Sequence, residues 1–508
     1  MAHDRFRCLW WKSLHVETDV HECGPLCSRP SPPRTTTSGR FFRVPSSATS
    51  WLVTGIRYQS QDRRDMSRTT RLTPLEGLRS RLRAERLIQN AAALMLSTGG
   101  TALLGLVFWT SATHLATAAA VGRTSAEIAA MVLIANLAQL SFGSIFERFL
   151  PVSGKQTRTF VKRAYAMCIS FALIATVAYL STGLAHNFIP SSFGWHALFV
   201  VAVVMWTIFI LQDSVLVGLR ASKLVPVENI LFAAVKLALL PVLIVVTKSQ
   251  GVFVAWTAPV GVTIIAVSWY LFKRRIPDHE AASTSSEVLP STRELIYLAG
   301  AQYGTLLFGV FTPSIVALIV IDRLGPVANA HCYVPALITS SMAVFNWSIM
   351  RSFLVEAASE PYALRHHANV AMWALIAVVV PSVVLGLILA PEILRVFGSS
   401  YATYGTTLLR MQLLALPCSA VTIFYSSFAW LDKHVWWMTI RELVSAIIFF
   451  SVLFAFIGHF GILAIGIASL ASSGLQGIFF LPISIRRYRM TTNLDPPSGG
   501  TGAAVSGV

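Results

Sequence analysis

Residues 228–246, "ENILFAAVKLALLPVLIVV", decide the fold. As an α-helix this stretch is about 28 Å long at 1.5 Å per residue, close to the ~30 Å hydrocarbon core of a bilayer. Apolar residues occupy every side of it, as they do in a span surrounded by lipid and other helices rather than by water. Lys236 interrupts the run near its middle. An ammonium at bilayer depth costs roughly 2.5–3.5 kcal/mol on insertion scales, so it is a functional candidate whose partner must be found.

The whole chain repeats this composition. Of 508 residues, 55% are hydrophobic and 12% charged, and the mean hydropathy is +0.64; soluble domains carry roughly 25% charged residues. Twelve apolar blocks follow, at about 88–111, 125–146, 164–184, 195–217, 227–247, 251–272, 295–320, 327–350, 368–390, 404–428, 435–457 and 461–484. The expected fold class is therefore an all-α polytopic membrane protein with about 12 transmembrane helices.

Loop charges orient the spans. With the N-terminus inside, the inner segments carry 23 Lys and Arg residues and the outer loops four, Arg123, Lys248, Arg323 and Arg395. Inner loops of membrane proteins are cation-rich, which predicts both termini in the cytoplasm of a multi-pass protein of the cytoplasmic (inner or plasma) membrane. The net charge of +17 is read the same way, and no nucleic-acid partner is expected.

The flanks differ from this core. Residues 1–65 are polar and rich in Ser, Arg, Thr and Pro, and are expected to be disordered; Met66 is an alternative translation start. "HECGPLC" (His21, Cys23, Cys27) lacks the fourth ligand a zinc site needs, so no metal is expected. Residues 66–87 form a basic amphipathic segment on the cytoplasmic side, and 488–508 a disordered tail. The polar linker 273–294 divides the membrane region into six-helix lobes at 88–272 and 295–487.

Weak internal similarity supports that division. "FGSIFERFLPVSGK" after the second span resembles "FNWSIMRSFLVEAASE" after the eighth, with Phe149 and Leu150 matching Phe353 and Leu354. "LVGLRASKLVPVENILF" between spans four and five parallels "SFAWLDKHVWWMTIREL" between ten and eleven. Parallel repeats of this kind form transporters with a substrate site between the halves.

Enzymatic chemistry is not expected. "SGKQT" (153–157) lacks the first glycine of a P-loop and has Gln156 where Ser or Thr would hold magnesium. The first outer loop, "ATHLATAAAVGRTS", has no carboxylate for a lipid-linked glycosyltransferase, and no outer loop is long. No cofactor is called for. Cys168, Cys332 and Cys418 lie singly in apolar segments, where cysteine behaves as a small hydrophobe.

Three stretches carry a family resemblance: "GSIFERFLP" (143–151), "LQDSVLVGLRASKLVPVENILFAAVKLALL" (211–240) and "DRLGPVANAHCYV" (322–334). They resemble the Wzx-like polysaccharide or oligosaccharide flippase branch of the multidrug/oligosaccharidyl-lipid/polysaccharide (MOP) exporter superfamily, which also holds MATE exporters. The resemblance covers about residues 85–487. It implies two lobes around a central cavity and a polyprenyl-(pyro)phosphate-linked oligosaccharide as substrate. Membrane lipid and envelope-synthesis proteins are then the expected partners.

Lys236 has two readings. It binds the headgroup phosphate from a cavity face shared with Asn229, Ala233 and Leu240, or it pairs with Asp213. Asp213 is also the one carboxylate read as a coupling-ion candidate. Arg410 is a second cavity cation or an interfacial one. Arg148 and Arg351, ending spans two and eight, would collect headgroups or merely fix topology. Arg441 and Glu442 are read as interfacial or structural. Pro241, Pro313, Pro335, Pro381 and Pro417 permit kinks that suit rocking lobes. A MATE-like cation-coupled exporter of small molecules is the alternative function, disfavoured by the absence of an acid in span one, "IQNAAALMLSTGGTALLGLVFWTS".

Overall fold

The computed structural model describes residues 99–282, 292–359, 364–432 and 435–491, and among them there are helices and short connections but no strands. Residues 1–65, the basic segment 66–87 and the "HECGPLC" cluster lie outside the described residues. The helices are α1 (99–115), α2 (Ala118–Ala138), α3 (Phe142–Phe149), α4 (Thr157–Ser181), α5 (Phe193–Gly218), α6 (Leu224–Thr247) and α7 (Gly251–Tyr270). A π-turn, Leu271–Arg275, joins α7 to α8 (Ile276–Ala282). The second lobe comprises α9 (Thr292–Leu324), α10 (Pro326–Ser359), α11 (Leu364–Arg395), α12 (Ser399–Leu431), α13 (Val435–Phe460) and α14 (Leu463–Thr491).

Among the described residues, 10 stretches are long and apolar enough to cross a membrane. One of them, Leu224–Ala282, contains the hairpin of α6 and α7 and so two crossings. Together with α1, which continues to the edge of the described residues, these make the twelve expected helices. Large aliphatic side chains on their outer faces, Ile174, Val245, Val262 and Ile478 among them, are exposed on the protein and available to lipid.

Four boundaries differ from the sequence reading. The first outer loop is reduced to Ala116 and Thr117, because α2 begins at Ala118, with the Thr117 side chain accepting from the Ala120 amide. Arg123, expected in that loop, therefore sits inside α2. Span two is broken after Ala138: Leu140 and Ser141 adopt left-handed backbone (φ 48° and 62°) before α3 resumes. The linker begins as helix, and Arg158 ties it to the first lobe through hydrogen bonds from its backbone N to Glu280 Oε1 (2.8 Å) and from Nη2 to the Phe272 carbonyl (3.3 Å). Residues 488–491, expected to open a disordered tail, are helical, since α14 runs to Thr491.

The lobes meet along α2, which packs against α9 and α10. The approach is closest at Gly122, where a Cβ would lie 1.7 Å from the Pro326 carbonyl oxygen. Asn329, buried in α10, closes this seam by donating to the Gly122 carbonyl (2.8 Å) and the Ser125 hydroxyl (3.0 Å). Small residues that let backbones approach, with polar side chains bonding across, are how helices associate where lipid offers no hydrophobic drive.

The cation-rich helix ends lie on one side, here called the basic face. Near the opposite, charge-poor face one hydrophobic core crosses both lobes, joining Phe108, Val121 and Phe253 to Val334, Leu394 and Leu413. His114 Nε2 with the Val396 carbonyl (2.8 Å) and Asn187 with Asp322 (3.1 Å) add contacts on that side. Toward the basic face the cores separate. One is built on Phe146, Leu150 and Leu216 of the first lobe, the other on Met350, Phe353 and Phe428 of the second. Lobe contacts there include α9 against α3 and a hydrogen bond from Tyr303 to the Leu137 carbonyl at 3.1 Å.

Gly122→Val is expected to lower the Tm of the detergent-solubilised protein by several degrees, since overpacking costs about 1–3 kcal/mol. Gly458→Val, at a position with open space around it, serves as the control and should change Tm far less.

Candidate functional site

Lys236 lies twelve residues, roughly 18 Å, from the start of α6. Its side chain is 4% exposed, and what surrounds it is aromatic. The Nζ sits 3.6 Å from the centre of the Trp256 ring, 4.8 Å from Phe232 and 5.2 Å from Phe108. Phe232 precedes Lys236 by one turn on the same stripe of α6. Trp256 faces it from α7 because the hairpin is tight: a Cβ on Gly251 would lie 2.4 Å from the Ile244 Cα. Phe108 comes from α1. Desolvated cation–π contacts are worth up to about 2 kcal/mol each, so three ring faces are of the size needed to offset the insertion cost of roughly 2.5–3.5 kcal/mol.

The cage extends toward the second lobe. Phe108 packs edge-on against Trp256 at 5.5 Å between centroids, Trp109 lies 5.9 Å from Trp256, and Tyr333 of α10 sits 4.5 Å from Trp109. The ammonium is thus connected by rings to the helix that forms the lobe seam.

The predicted cavity face of α6 is packed. Ala233, Lys236 and Leu240 are buried against neighbouring helices, and Asn229 is half-buried with its amide donating to the Val225 carbonyl (2.9 Å). The reason is the rings, which accept a cation that would otherwise seek water. Among the described residues Lys236 forms no ion pair, so the pairing with Asp213 is not made. Asp213, on α5, lies instead beside Asn229 and Glu228 near the basic end.

Arg410 projects from an exposed position on α12, and its Nε donates to the Leu387 carbonyl of α11 at 3.1 Å. Pro391 explains the contact: lacking an N–H, it leaves the carbonyl four residues earlier, that of Leu387, without its helical donor. Arg148 is exposed over the Phe149 ring (5.4 Å). Arg351, expected to end span eight, lies within α10, which continues to Ser359, and it faces Glu147 of α3 electrostatically across the lobes without forming an ion pair. Arg441 and Glu442 pair with each other, and Arg441 also donates to Gln476 Oε1 (3.3 Å). Adjacent on the helix and pointing apart at their Cβ atoms, they meet because the arginine is long enough to fold back.

Two buried carboxylates are absent from the sequence reading. Glu127 of α2 is 2% exposed and Glu228 of α6 is 5% exposed, and neither carboxylate has a hydrogen-bond partner in the structure. Glu127 neighbours Arg123 and Gln250, from the turn between α6 and α7. Glu228 shares its surroundings with Asp213 and the buried, unpartnered hydroxyl of Tyr165. A signal existed for the second: Glu228, Phe232, Lys236 and Leu240 recur every four residues on one stripe. Glu127 had one too, since it falls just inside the expected second span, 125–146, where an acid is a candidate by its position. No group of three or more metal-type ligands occurs among the described residues.

These features define a two-lobed, multi-pass helical membrane protein with a lysine buried among aromatic rings in its first lobe. No protein-family description matches the chain, and no curated protein matches it in sequence. Solved structures do. The inward-facing conformation of a multidrug resistance MATE family transporter of the MOP superfamily superposes with TM-score 0.56 at 14% identity, over 77% of this chain and 96% of that one. The outward-facing conformation of a MATE family transporter gives 0.53 at 13%, over 79% and 95%. A MOP superfamily transporter from Pyrococcus furiosus, whose binding pocket of reverse polarity suggests a different function, gives 0.54 at 14%, over 79% and 95%. The fold is that of the MATE transporters.

Replacing Lys236 by Leu is expected to leave the Tm unchanged or raise it, because exchanging a buried charge for an apolar group is often stabilising. Trp256→Ala, which strips the closest ring and opens a cavity, should destabilise by about 3–5 kcal/mol. Chemical denaturation in a mild detergent reads both, and a larger loss for Lys236→Leu than for Trp256→Ala would contradict the aromatic cage.

Proposed function

We propose that the protein is a membrane transporter that flips a polyprenyl-(pyro)phosphate-linked oligosaccharide across the cytoplasmic membrane for cell-envelope polysaccharide synthesis. The observation that carries this reading is the way Lys236 is held. Aromatic rings surround the Lys236 amine and no carboxylate among the described residues pairs with it, so a proton held there has no counter-charge to cancel it, whereas an ion pair would supply one. The cage in which an organic cation would most readily sit is already filled by the protein's own lysine. An anionic cargo suits that arrangement better than a cationic one. The P. furiosus neighbour of reverse pocket polarity supports the idea that this fold serves cargo of either sign.

In this mechanism the basic face is cytoplasmic. Arg148 and Arg351 draw the phosphate of the glycolipid to the side where the lobes have separate cores, and Lys236, with Asn229 nearer that side, attracts it inward. Arg410 attracts it beyond the bilayer centre. The polyprenyl tail stays in lipid throughout, because only the polar headgroup faces a prohibitive barrier: each unpaired hydroxyl costs several kcal/mol and a phosphate far more. Rocking about the α2 seam then exposes the headgroup outside. No covalent step is involved, and Asp213 with Glu228 is the pair through which an ion gradient would couple.

A second reading, a cation-coupled exporter of small organic molecules, draws on those buried carboxylates and on Glu127, which could hold a cation. Transport of a fluorescent polyprenyl-pyrophosphate oligosaccharide in reconstituted vesicles separates the two. Flipping should fall at least tenfold in Lys236→Ala and be partly retained in Lys236→Arg. Unchanged flipping in Lys236→Ala removes the lysine from the mechanism, and efflux of a cationic dye without glycolipid movement selects the second reading.

A further inference from the structure

The second lobe contains a cavity that no part of the transport reading uses. It lies between α11, α12 and α14, measures about 300 Å³, and is lined by Leu375, Val379, Val421, Phe424, Leu481 and Ser484 with almost no polar surface. Ile376, Val380 and Ile485 at its rim are exposed on the membrane-facing surface, so hydrocarbon reaches it from the side. At the low end of the roughly 300–1,000 Å³ of small-ligand pockets, it has room for part of one chain.

Two features distinguish it from ordinary unevenness between helices. Ser484 is 4% exposed and its hydroxyl has no hydrogen-bond partner. Thr176, Thr207, Ser426 and Ser427, buried in other helices, all return their hydroxyls to the carbonyl four residues earlier. The Ser484 hydroxyl instead remains available to the polar linkage of a guest. Next, the basic end of the cavity carries charge. On α14 the cavity stripe is Leu481, Ser484, Ile485 and Tyr488, and the adjoining stripe, which shares Ile485, carries Arg486 and Arg489 around a surface depression. Arg487 is matched by Asp432 at 2.8 Å, but Arg486, exposed, has no ion pair among the described residues. Tyr488 pins that end by hydrogen-bonding Asn369 of α11.

An apolar slot open to the bilayer, with an unspent hydroxyl and an unmatched guanidinium at headgroup level, complements one kind of molecule. The geometry points to a resident anionic phospholipid, one acyl chain in the slot and its phosphate on Arg486. Bulk phospholipid fits better than the tail of the cargo because all the lining helices belong to a single lobe. A guest there moves with α11, α12 and α14 as one body, while a cargo has to leave during each cycle. This assignment stands whether or not the glycolipid reading holds.

The test is native mass spectrometry of the purified full chain with added phosphatidylglycerol or phosphatidylcholine. One phosphatidylglycerol should survive activation that strips the other lipids, retained at least tenfold above phosphatidylcholine. Val380→Trp, which obstructs the mouth from an exposed position, should cut retention at least tenfold. Arg486→Gln should erase the preference between the two lipids, and it decides the matter alone if the tryptophan variant does not fold. Equal retention by all three proteins overturns the site. Displacement of phosphatidylglycerol by equimolar polyprenyl phosphate overturns the resident-lipid assignment in favour of the cargo tail.

Discussion

The seam between α2 and α10 is the constraint on which the rest of the architecture depends. Inside a bilayer, lipid is as apolar as leucine, so two lobes stay together only through close packing and hydrogen bonds. Gly122 gives the closeness, since any side chain there would occupy the space of the Pro326 carbonyl. Asn329 gives the hydrogen bonds, one to a carbonyl and one to a hydroxyl of the opposite lobe. Interhelical hydrogen bonds in membranes average only about 0.6 kcal/mol and reach about 1.7. A seam made of a few such terms holds the lobes in register through contacts that are individually weak.

The distribution of core packing gives that seam a direction. One core spans both lobes toward the charge-poor face, and each lobe keeps its own toward the basic face. Parting the lobes on the charge-poor side would expose Phe108, Val121, Val334 and Leu394 to a widening gap. Parting them on the basic side leaves Phe146 and Phe353 buried in their separate clusters. Shared core packing therefore joins the lobes toward the charge-poor face. The left-handed break at Leu140 and Ser141, where α2 gives way to α3, lies between these two regimes.

How much of this was legible in the sequence depended on what each residue faces. The spans could be placed because lipid-facing residues must be apolar, and hydropathy measures that requirement. The start of α2 could not. "ATAAAVGRTSAE" is small and polar because its surroundings are other helices, and a segment buried in protein has no need to be oily. Arg123 was hidden by the same property, whereas Glu127 already fell inside the expected second span. Lys236 was conspicuous by itself, but its partners were not: Phe108 and Trp256 look like any other apolar residues until folding aims them at one point. Arg410 was readable as a charge near an end of a span, while its link to Leu387 required knowing that Pro391 sits alongside on α11.

The aromatic cage also bears on why a lysine is tolerated at this depth. A carboxylate partner would stabilise the ammonium more strongly, yet it would leave a neutral pair whose field falls off quickly and which a phosphate could enter only by displacing the acid. Rings offer a weaker and less directional hold. The side chain can turn from Trp256 without breaking a hydrogen bond, and any charge held there acts in a low-dielectric interior, where Coulomb interactions are several times stronger than in water. Because Trp109 and Tyr333 continue the ring contacts into α10, movement of the second lobe alters the packing behind the cage. The position of the ammonium and the relative placement of the lobes are thereby coupled through packed rings, with no charged partner required.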